Sequence, residues 1–201
     1  MSDLKNHKVL REIKIVKDFM RNPLGSCMIE HGNTKVICSA SVEDKVPRWL
    51  RGKGKGWITA EYSMLPTSTH ERTEREVNKG KPSGRTQEIQ RLIGRSLRNI
   101  FDLRLIGERV IKIDCDVISA DGGTRTASIN GSWIALSLAV KKLLTERKIF
   151  KNPIMCGLSA ISCGLLDNKV ILDLNYEEDS NADADANFVF NSNGDIVEIQ
   201  C

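Results

Sequence analysis

The stretch of sequence that decides the fold is residues 111–128, IKIDCDVISADGGTRTAS. Apolar residues occupy every second position of its first half, which predicts a strand with one buried face over Ile111–Ile118. Two glycines follow, and residues 127–144 are rich in apolar side chains, which predicts a largely buried second helix. A strand, a glycine turn and a buried helix in this order indicate helices packed on a sheet.

The turn between that strand and that helix is a candidate anion site. Paired glycines allow backbone N–H groups to face a ligand, and a helix N-terminus adds partial positive charge. Thr124 and Arg125 directly after Gly122-Gly123 supply further donors that suit a phosphate. The GKS/T signature of a Walker loop is absent. An ordinary strand–helix turn with a capping threonine has the same pattern, so both interpretations stay open.

A second arginine-bearing helix start precedes the clearest helix of the chain, predicted over residues 86–101. Its apolar residues form one stripe, while Arg91 lies on the polar face. Arg85 stands at the N-terminus, where an anion would interact with both the guanidinium group and the helix dipole. On spacing alone, an arginine at such a position is a solvated charge more often than a ligand.

An acidic segment, Glu177–Asp185, carries five carboxyl side chains in nine residues. Carboxylates this close repel one another, so they favour a bound cation or a raised pKa. The segment is not an EF-hand loop, because the central glycine and the terminal glutamate are missing. A solvated acidic turn is the alternative interpretation.

The rest of the chain predicts strands on both sides of these helices, and therefore an α+β fold of mixed or antiparallel sheets. Residues 66–84 have no stable period and predict a long loop, which is a typical place for functional residues. Without repeats or a low-complexity linker, residues 1–201 are interpreted as a single domain. The remaining predicted strands are Arg11–Lys17, Gly25–Glu30, Thr34–Val42, Trp57–Tyr62, Met155–Leu165, Val170–Leu174, Phe188–Asn191 and Ile196–Gln200.

Composition narrows the class of protein. The 201 residues are 40% hydrophobic and 28% charged, which is typical of a globular protein. No apolar run reaches the roughly 20 residues that a membrane span needs, and residues 1–8 lack the apolar core of a secretion signal. We therefore expect a cytoplasmic protein without a membrane partner. Six scattered cysteines without a CxxC pair favour buried, reduced thiols over disulfides or a zinc site.

Charge is distributed unevenly along the chain. Residues 45–56 carry five Lys and Arg residues and no acid, and further arginines follow up to Arg104. From residue 170 onward there are eight Asp and Glu residues and no Lys or Arg. A basic body with a local acidic cluster suits a polyanionic substrate such as nucleic acid, although solvated charge gives the same composition.

Five segments in order along nearly the whole chain resemble the RNase PH family. The resemblance implies a two-layer βαβα fold and a ring-shaped hexamer built from dimers. It also implies removal of nucleotides from the 3′ ends of tRNA precursors, with inorganic phosphate as the attacking group. The segments are GWITAEYSMLP at 56–66, GRTQEIQR at 84–91, DCDVISADGGTRTAS at 114–128, LNYEEDS at 174–180 and VEIQ at 197–200.

The resemblance also implies roles for individual residues. Arg85 is similar to the family's phosphate-binding arginine, and Gly123, Thr124 and Arg125 are similar to its phosphate-binding turn. Asp179 and Asp185 match an acidic pair credited with Mg²⁺ binding or acid catalysis. Arg72 and Arg75 match loop arginines that grip RNA, and Arg91 is assigned to RNA binding beside them.

The chain also departs from the family pattern, and the departures keep two hypotheses open. The N-terminal Arg-Pro-Asp-Gly-Arg-like segment is absent, Thr67 replaces a common arginine, and Ala186 replaces a frequent methionine. The chain stops at Cys201, where relatives continue into a long helix, so we expect exposed apolar surface there. The retained arginines and aspartates favour an active phosphorolytic exoribonuclease. The altered termini favour a catalytically weakened RNA-binding or ring-scaffold protein.

Overall fold

The structure, a computed structural model, describes residues 9–201. Residues 1–8, on which the expectation about a secretion signal rests, lie outside the described part. Two sheets and three α-helices account for most of the fold, with two short 3₁₀ turns at Arg48–Leu50 and Glu76–Lys79. In chain order the elements are β1 Ile13–Lys17, β2 Gly25–His31, β3 Thr34–Glu43, β4 Trp57–Met64, α1 Gly84–Asn99, β5 Val110–Ser119, α2 Thr124–Thr145, β6 Leu158–Leu166, β7 Lys169–Leu172, α3 Tyr176–Asn181, β8 Ala184–Asn191 and β9 Ile196–Gln200.

The first sheet has five strands in the order β1-β2-β3-β5-β4. Strands β1 to β3 form an antiparallel meander, and β5 pairs antiparallel with β3. Strand β4 lies parallel to β5, a pairing that requires a crossover, and helix α1 is part of that crossover. The parallel pair ends together at Met64 and Val117, and the site described below lies at this end of the sheet.

The second sheet has four antiparallel strands in the order β7-β6-β8-β9. A hairpin turn at Asn193-Gly194 joins β8 to β9, with Gly194 at a φ of +90°. Helix α2 packs against strands of both sheets, and one hydrophobic cluster contains Cys38, Ala139, Ala160 and Val189 from these three parts. The predicted α+β class with mixed and antiparallel sheets is confirmed, whereas the single-domain interpretation stays a prediction.

The acidic segment is the main local difference from the sequence prediction. A solvated turn is not what the structure has for its first part, which forms helix α3. Asn175 starts this helix with a capping box: its side chain accepts from the Glu178 N–H, and the Glu178 carboxylate accepts from the Asn175 N–H. Asp179 therefore lies on α3, and Asp185 lies near the start of β8.

Three cysteines lie side by side inside the first sheet. Cys27 on β2 pairs with Cys38 on β3, and Cys38 pairs with Cys115 on β5. The Sγ atoms of Cys38 and Cys115 are 3.8 Å apart. All three are free thiols and are buried, as predicted, whereas Cys163 is only partly buried. No helix among residues 9–201 is long and apolar enough to cross a membrane.

Candidate active site

A cleft of about 1340 Å³ opens where the first turns of α1 and α2 meet helix α3 and strand β8. Met64 and Ala120, at the ends of the parallel strand pair, form part of its wall. The structure thus brings both arginine-bearing helix starts and the acidic pair to one cavity, while the roles of the individual residues stay predictions. Its lining includes Arg85, Gly123, Thr124, Arg125, Asp179 and Asp185, all of which were selected from the sequence.

The glycine turn before α2 requires glycine for steric reasons. Gly122 and Gly123 have φ angles of +71° and +65°, in the left-handed region that glycine adopts without strain. A Cβ atom at Gly122 would lie 2.4 Å from the backbone oxygen of Leu174. No side chain caps the N-terminus of α2. The first N–H groups of this helix are therefore available to a ligand.

The hydroxyl of Thr124 is held from the interior side. The Tyr62 hydroxyl donates to Thr124 Oγ1 at 3.0 Å, and both residues are buried. Burial raises the pKa of Tyr62, so the phenol keeps the proton that it donates. Because Thr124 also lines the cleft, its hydroxyl can donate to an anion there while it accepts from Tyr62.

The two arginines of the cleft differ in their surroundings. Arg85 is exposed in the first turn of α1, where the Ser83 hydroxyl accepts from the Thr86 N–H at 3.1 Å. Only 18% of the Arg125 side chain is exposed, and its Nη2 atom lies 3.6 Å from Glu88 Oε1. Arg85 can therefore adjust to a ligand, whereas the Arg125 side chain is largely enclosed by the protein.

The acidic pair forms the opposite side of the cleft. Burial, and then the negative charge of Asp185, raise the pKa of Asp179. Arg85 and Arg125 oppose this shift, so both arginines act electrostatically on Asp179. The described residues contain no group of three or more His, Cys, Asp or Glu side chains suited to a metal ion. Two carboxylates beside an anion site nevertheless fit Mg²⁺, which usually takes one or two carboxylates together with water and substrate phosphate oxygens.

The predicted RNA-binding arginines are not among the residues that line the cleft, although Glu71 and Thr73 on either side of Arg72 are. Arg72 and Arg75 are exposed in the long loop, and Arg91 is exposed on α1. The neighbouring loop residue His70 does line the cleft, and its ring centroid lies 6.1 Å from that of Tyr176. Sequence reasoning missed both rings, because a lone histidine in a loop and a tyrosine beside acids carry no recognisable pattern.

Sequence reasoning also missed three residues behind the glycine turn: Thr34 and Asp173, which are buried, and Arg11, whose side chain is 9% exposed. The Arg11 guanidinium contacts the Asp173 carboxylate at 2.6 Å, and His31 Nε2 lies 3.0 Å from the same carboxylate. Burial alone would raise the pKa of Asp173, but the contacts with His31 and Arg11 lower it well below its ordinary value. Asp173 is therefore ionised, and its charge is compensated inside the protein.

Comparisons with known proteins show the family of the chain. Two family models match the chain: 3′ exoribonuclease family, domain 1, over residues 9–142, and 3′ exoribonuclease family, domain 2, over residues 158–201. The chain is 56% identical over 191 residues to ribonuclease PH of Caulobacter vibrioides. The matched region covers 95% of this chain and 80% of that protein.

Two solved structures share the fold at low sequence identity. Rice Rrp46 superposes with a TM-score of 0.78 at 21% identity, covering 100% of this chain and 85% of that one. A chain of the Archaeoglobus fulgidus exosome with RNA bound to the active site gives a TM-score of 0.78 at 18% identity, covering 96% and 78%.

Proposed function

The chain belongs to the RNase PH family of 3′ exoribonucleases and acts as a phosphorolytic 3′ exoribonuclease, and we propose that its substrates are the 3′ ends of tRNA precursors. The observation that supports the proposed site is the meeting of two arginine-bearing helix starts and an acidic pair in one cleft. A catalytically weakened RNA-binding or scaffold protein is not favoured, since the chain is 56% identical to a ribonuclease PH.

In the proposed reaction, inorganic phosphate binds between Arg85 and the Gly123–Arg125 turn. Phosphate is a poor nucleophile because it is hydrated and negatively charged, and its target phosphodiester is also negatively charged. The two guanidinium groups, the Thr124 hydroxyl and the backbone N–H groups of the turn would replace the water and offset the repulsion. The cleft then holds the phosphate in line with the terminal phosphodiester.

The bond changes balance without a further reactant. A phosphate oxygen forms a bond to the phosphorus of the last phosphodiester, and the bond from that phosphorus to the 3′ oxygen of the preceding nucleotide breaks. The leaving 3′ oxygen takes up one proton. The products are a nucleoside diphosphate and an RNA shorter by one nucleotide, and because the bond types are conserved, the reaction runs backward when diphosphates are abundant.

Asp179 and Asp185 are the proposed partners of the leaving oxygen. Because the pKa of Asp179 is raised, this residue keeps a proton to higher pH than an ordinary aspartate, which suits a donor. In the alternative role, both carboxylates are ionised and would hold Mg²⁺, which, when bound, supplies positive charge that offsets the charge developing on the phosphoryl oxygens.

RNA contacts and assembly extend the proposal beyond the cleft. Arg72, Arg75 and Arg91 are exposed cations that would hold the RNA backbone upstream of the 3′ end. A hexameric ring built from dimers is proposed for the assembly. It is supported by apolar side chains of β1 that are exposed on a single chain, including Ile13, Ile15 and Val16. A cytoplasmic location would place the protein with its tRNA substrates.

The test uses the full chain and a tRNA carrying extra 3′ nucleotides, with Mg²⁺ present and with phosphate either added or omitted. We expect nucleoside diphosphates only when phosphate is added, detected by thin-layer chromatography of labelled RNA. Nucleoside monophosphates in the absence of phosphate would indicate hydrolysis and contradict the mechanism. RNA binding without any turnover would favour the scaffold alternative.

A further inference from the structure

A polar network of Arg11, Thr34 and Asp173 lies directly behind the glycine turn, and none of these three residues is among those that line the cleft. Its base is Asp173, which is 0% exposed and accepts hydrogen bonds from the Arg11 backbone N–H at 2.7 Å and from Arg11 Nη2 at 2.6 Å. A buried carboxylate persists only when it is paired in this way. Arg11 is thereby fixed in one orientation, with its other terminal nitrogen free to act on the turn.

Two backbone carbonyl groups of the turn are anchored to this side. Arg11 Nη1 donates to the Asp121 carbonyl at 2.5 Å. The Thr34 hydroxyl donates to the Gly122 carbonyl at 2.6 Å and accepts from the Asp121 N–H at 2.9 Å. Thr34 is fully buried at the start of β3, so its hydroxyl is committed to the turn.

Because the peptide bond is planar, these hydrogen bonds to the carbonyl groups also fix the direction of the N–H groups of Gly122 and Gly123. In a trans peptide the N–H points opposite to the C=O, and the described residues contain no cis peptide bond. Holding the Asp121 carbonyl therefore orients the Gly122 N–H, and holding the Gly122 carbonyl orients the Gly123 N–H. Both N–H groups point away from the anchors, and both glycines line the cleft.

The same network reaches the acidic side of the cleft. Asp173 lies three residues before helix α3, and Asp121 Oδ1 accepts from the Tyr176 N–H at 3.2 Å. The Ser162 hydroxyl accepts from the Leu174 N–H at 3.1 Å. The turn and the start of the helix that carries Asp179 are therefore tied to one another by hydrogen bonds.

We propose that Arg11, Thr34 and Asp173 are positioning residues, which aim the N–H groups of Gly122 and Gly123 at the attacking phosphate. This inference rests on the proposed function, because it takes the turn as the phosphate site. It goes further by assigning the orientation of that site to three residues that do not touch the substrate. Substitution of these residues should weaken phosphate binding and leave the affinity for RNA unchanged.

The first test is Thr34→Val, which removes one hydroxyl at nearly constant volume, with Thr34→Ser as the variant that restores it. We expect Thr34→Val to raise the KM for phosphate about fivefold to tenfold, the effect of one misdirected hydrogen bond. The KM for RNA should change less than about twofold, and Thr34→Ser should restore most of the phosphate affinity. Thr145→Val is the matched control, because the Thr145 hydroxyl also donates to a backbone carbonyl, on an exposed part of α2.

The second test is Arg11→Lys, compared with Arg109→Lys at a surface ion pair with Asp44. A lysine can pair with Asp173 but cannot bridge Asp173 and the Asp121 carbonyl as the guanidinium fork does. We expect the same selective rise in the KM for phosphate, and this variant decides the question if Thr34→Val does not fold.

The outcomes separate the inference from the function on which it depends. Folded variants with an unchanged KM for phosphate would overturn the positioning role while phosphorolysis stands. A loss of activity that only follows the folded fraction, measured by thermal unfolding, would assign a structural role and also overturn it. If the unaltered chain forms no diphosphates with phosphate, the proposed function fails and the positioning role fails with it.

Discussion

The two helices whose first turns face the cleft begin in opposite ways. At α1, the Ser83 side chain caps the backbone, Gly84 has open space around it, and Arg85 is exposed. At α2, no side chain caps the helix, and Gly122 is packed against the segment that leads to α3. At the start of α1, the Ser83 side chain satisfies one of the free N–H groups, whereas the start of α2 leaves its N–H groups to a ligand and depends on distant residues for its shape.

Because of this difference, the two helix starts contribute different groups to anion binding. A capped helix start offers mainly its side-chain charge, because one of its free N–H groups is already used. An uncapped start with paired glycines offers the backbone itself, at a direction fixed by its surroundings. The cleft therefore combines an adjustable arginine at residue 85 with a rigid turn at residues 122–125.

The largest expected effect comes from adding a methyl group at each start. Gly122→Ala forces alanine into a left-handed conformation and against the Leu174 carbonyl, so we expect the unfolding free energy to fall by about 3 kcal/mol. Gly84→Ala meets nothing within 4 Å and should raise it by up to about 1 kcal/mol. Urea denaturation measures both, and similar losses in the two variants would contradict the contrast.

Removal of each guanidinium group should have the next largest effect. We expect Arg125→Ala and Arg85→Ala each to lower kcat/KM for phosphate about 100-fold, because each removes a donor to the transition-state charge. The double variant should lose less than the product of the two, since both groups act on one anion. RNA binding should change little. Arg104→Ala is the control, because Arg104 pairs with Asp102 on the surface. Normal turnover of either variant at limiting phosphate would refute the assignment.

The smallest expected effect is electrostatic and distinguishes the two arginines. Arg85 lowers the pKa of Asp179 more than Arg125 does, so Arg85→Ala should raise that pKa further than Arg125→Ala. The sign follows because losing a nearby positive charge disfavours the carboxylate. Carbon-13 NMR titration of the Asp179 carboxyl measures the shift, with Arg104→Ala again as the control. A lower pKa in Arg85→Ala would show that the residue does not act on Asp179.

Local sequence patterns were sufficient to predict most of the strands and helices of the fold. Alternation in residues 111–118 predicted β5, and the apolar stripe of residues 86–101 predicted α1, because each strand or helix buries one face. Helix α3 was missed because six residues are too few to show a helical period. Its capping box, Asn175 with Glu178, was the signal that was available.

The site was predictable only as far as its residues carry local chemistry. Arg85 and the Gly123–Arg125 turn stand at helix starts, and such positions have a physical reason to bind anions. The contact between Arg11 and Asp173 joins residues 162 positions apart, and nothing near either residue in the sequence indicates the other. Long-range polar pairs of this kind are set by the topology of the sheets, and therefore become visible only in three dimensions.

The row of thiols across β2, β3 and β5 provides a chemical probe for opening of the protein core. Contacts with Cys115 and Cys27, together with burial, raise the pKa of Cys38, so this thiol is unreactive as long as the sheet is covered by α2. Cys201 is exposed and available to reagents in the native fold. Alkylation of Cys38 therefore requires the sheet and the helix to separate, and its rate follows the cooperative opening of the core rather than fluctuations at the surface.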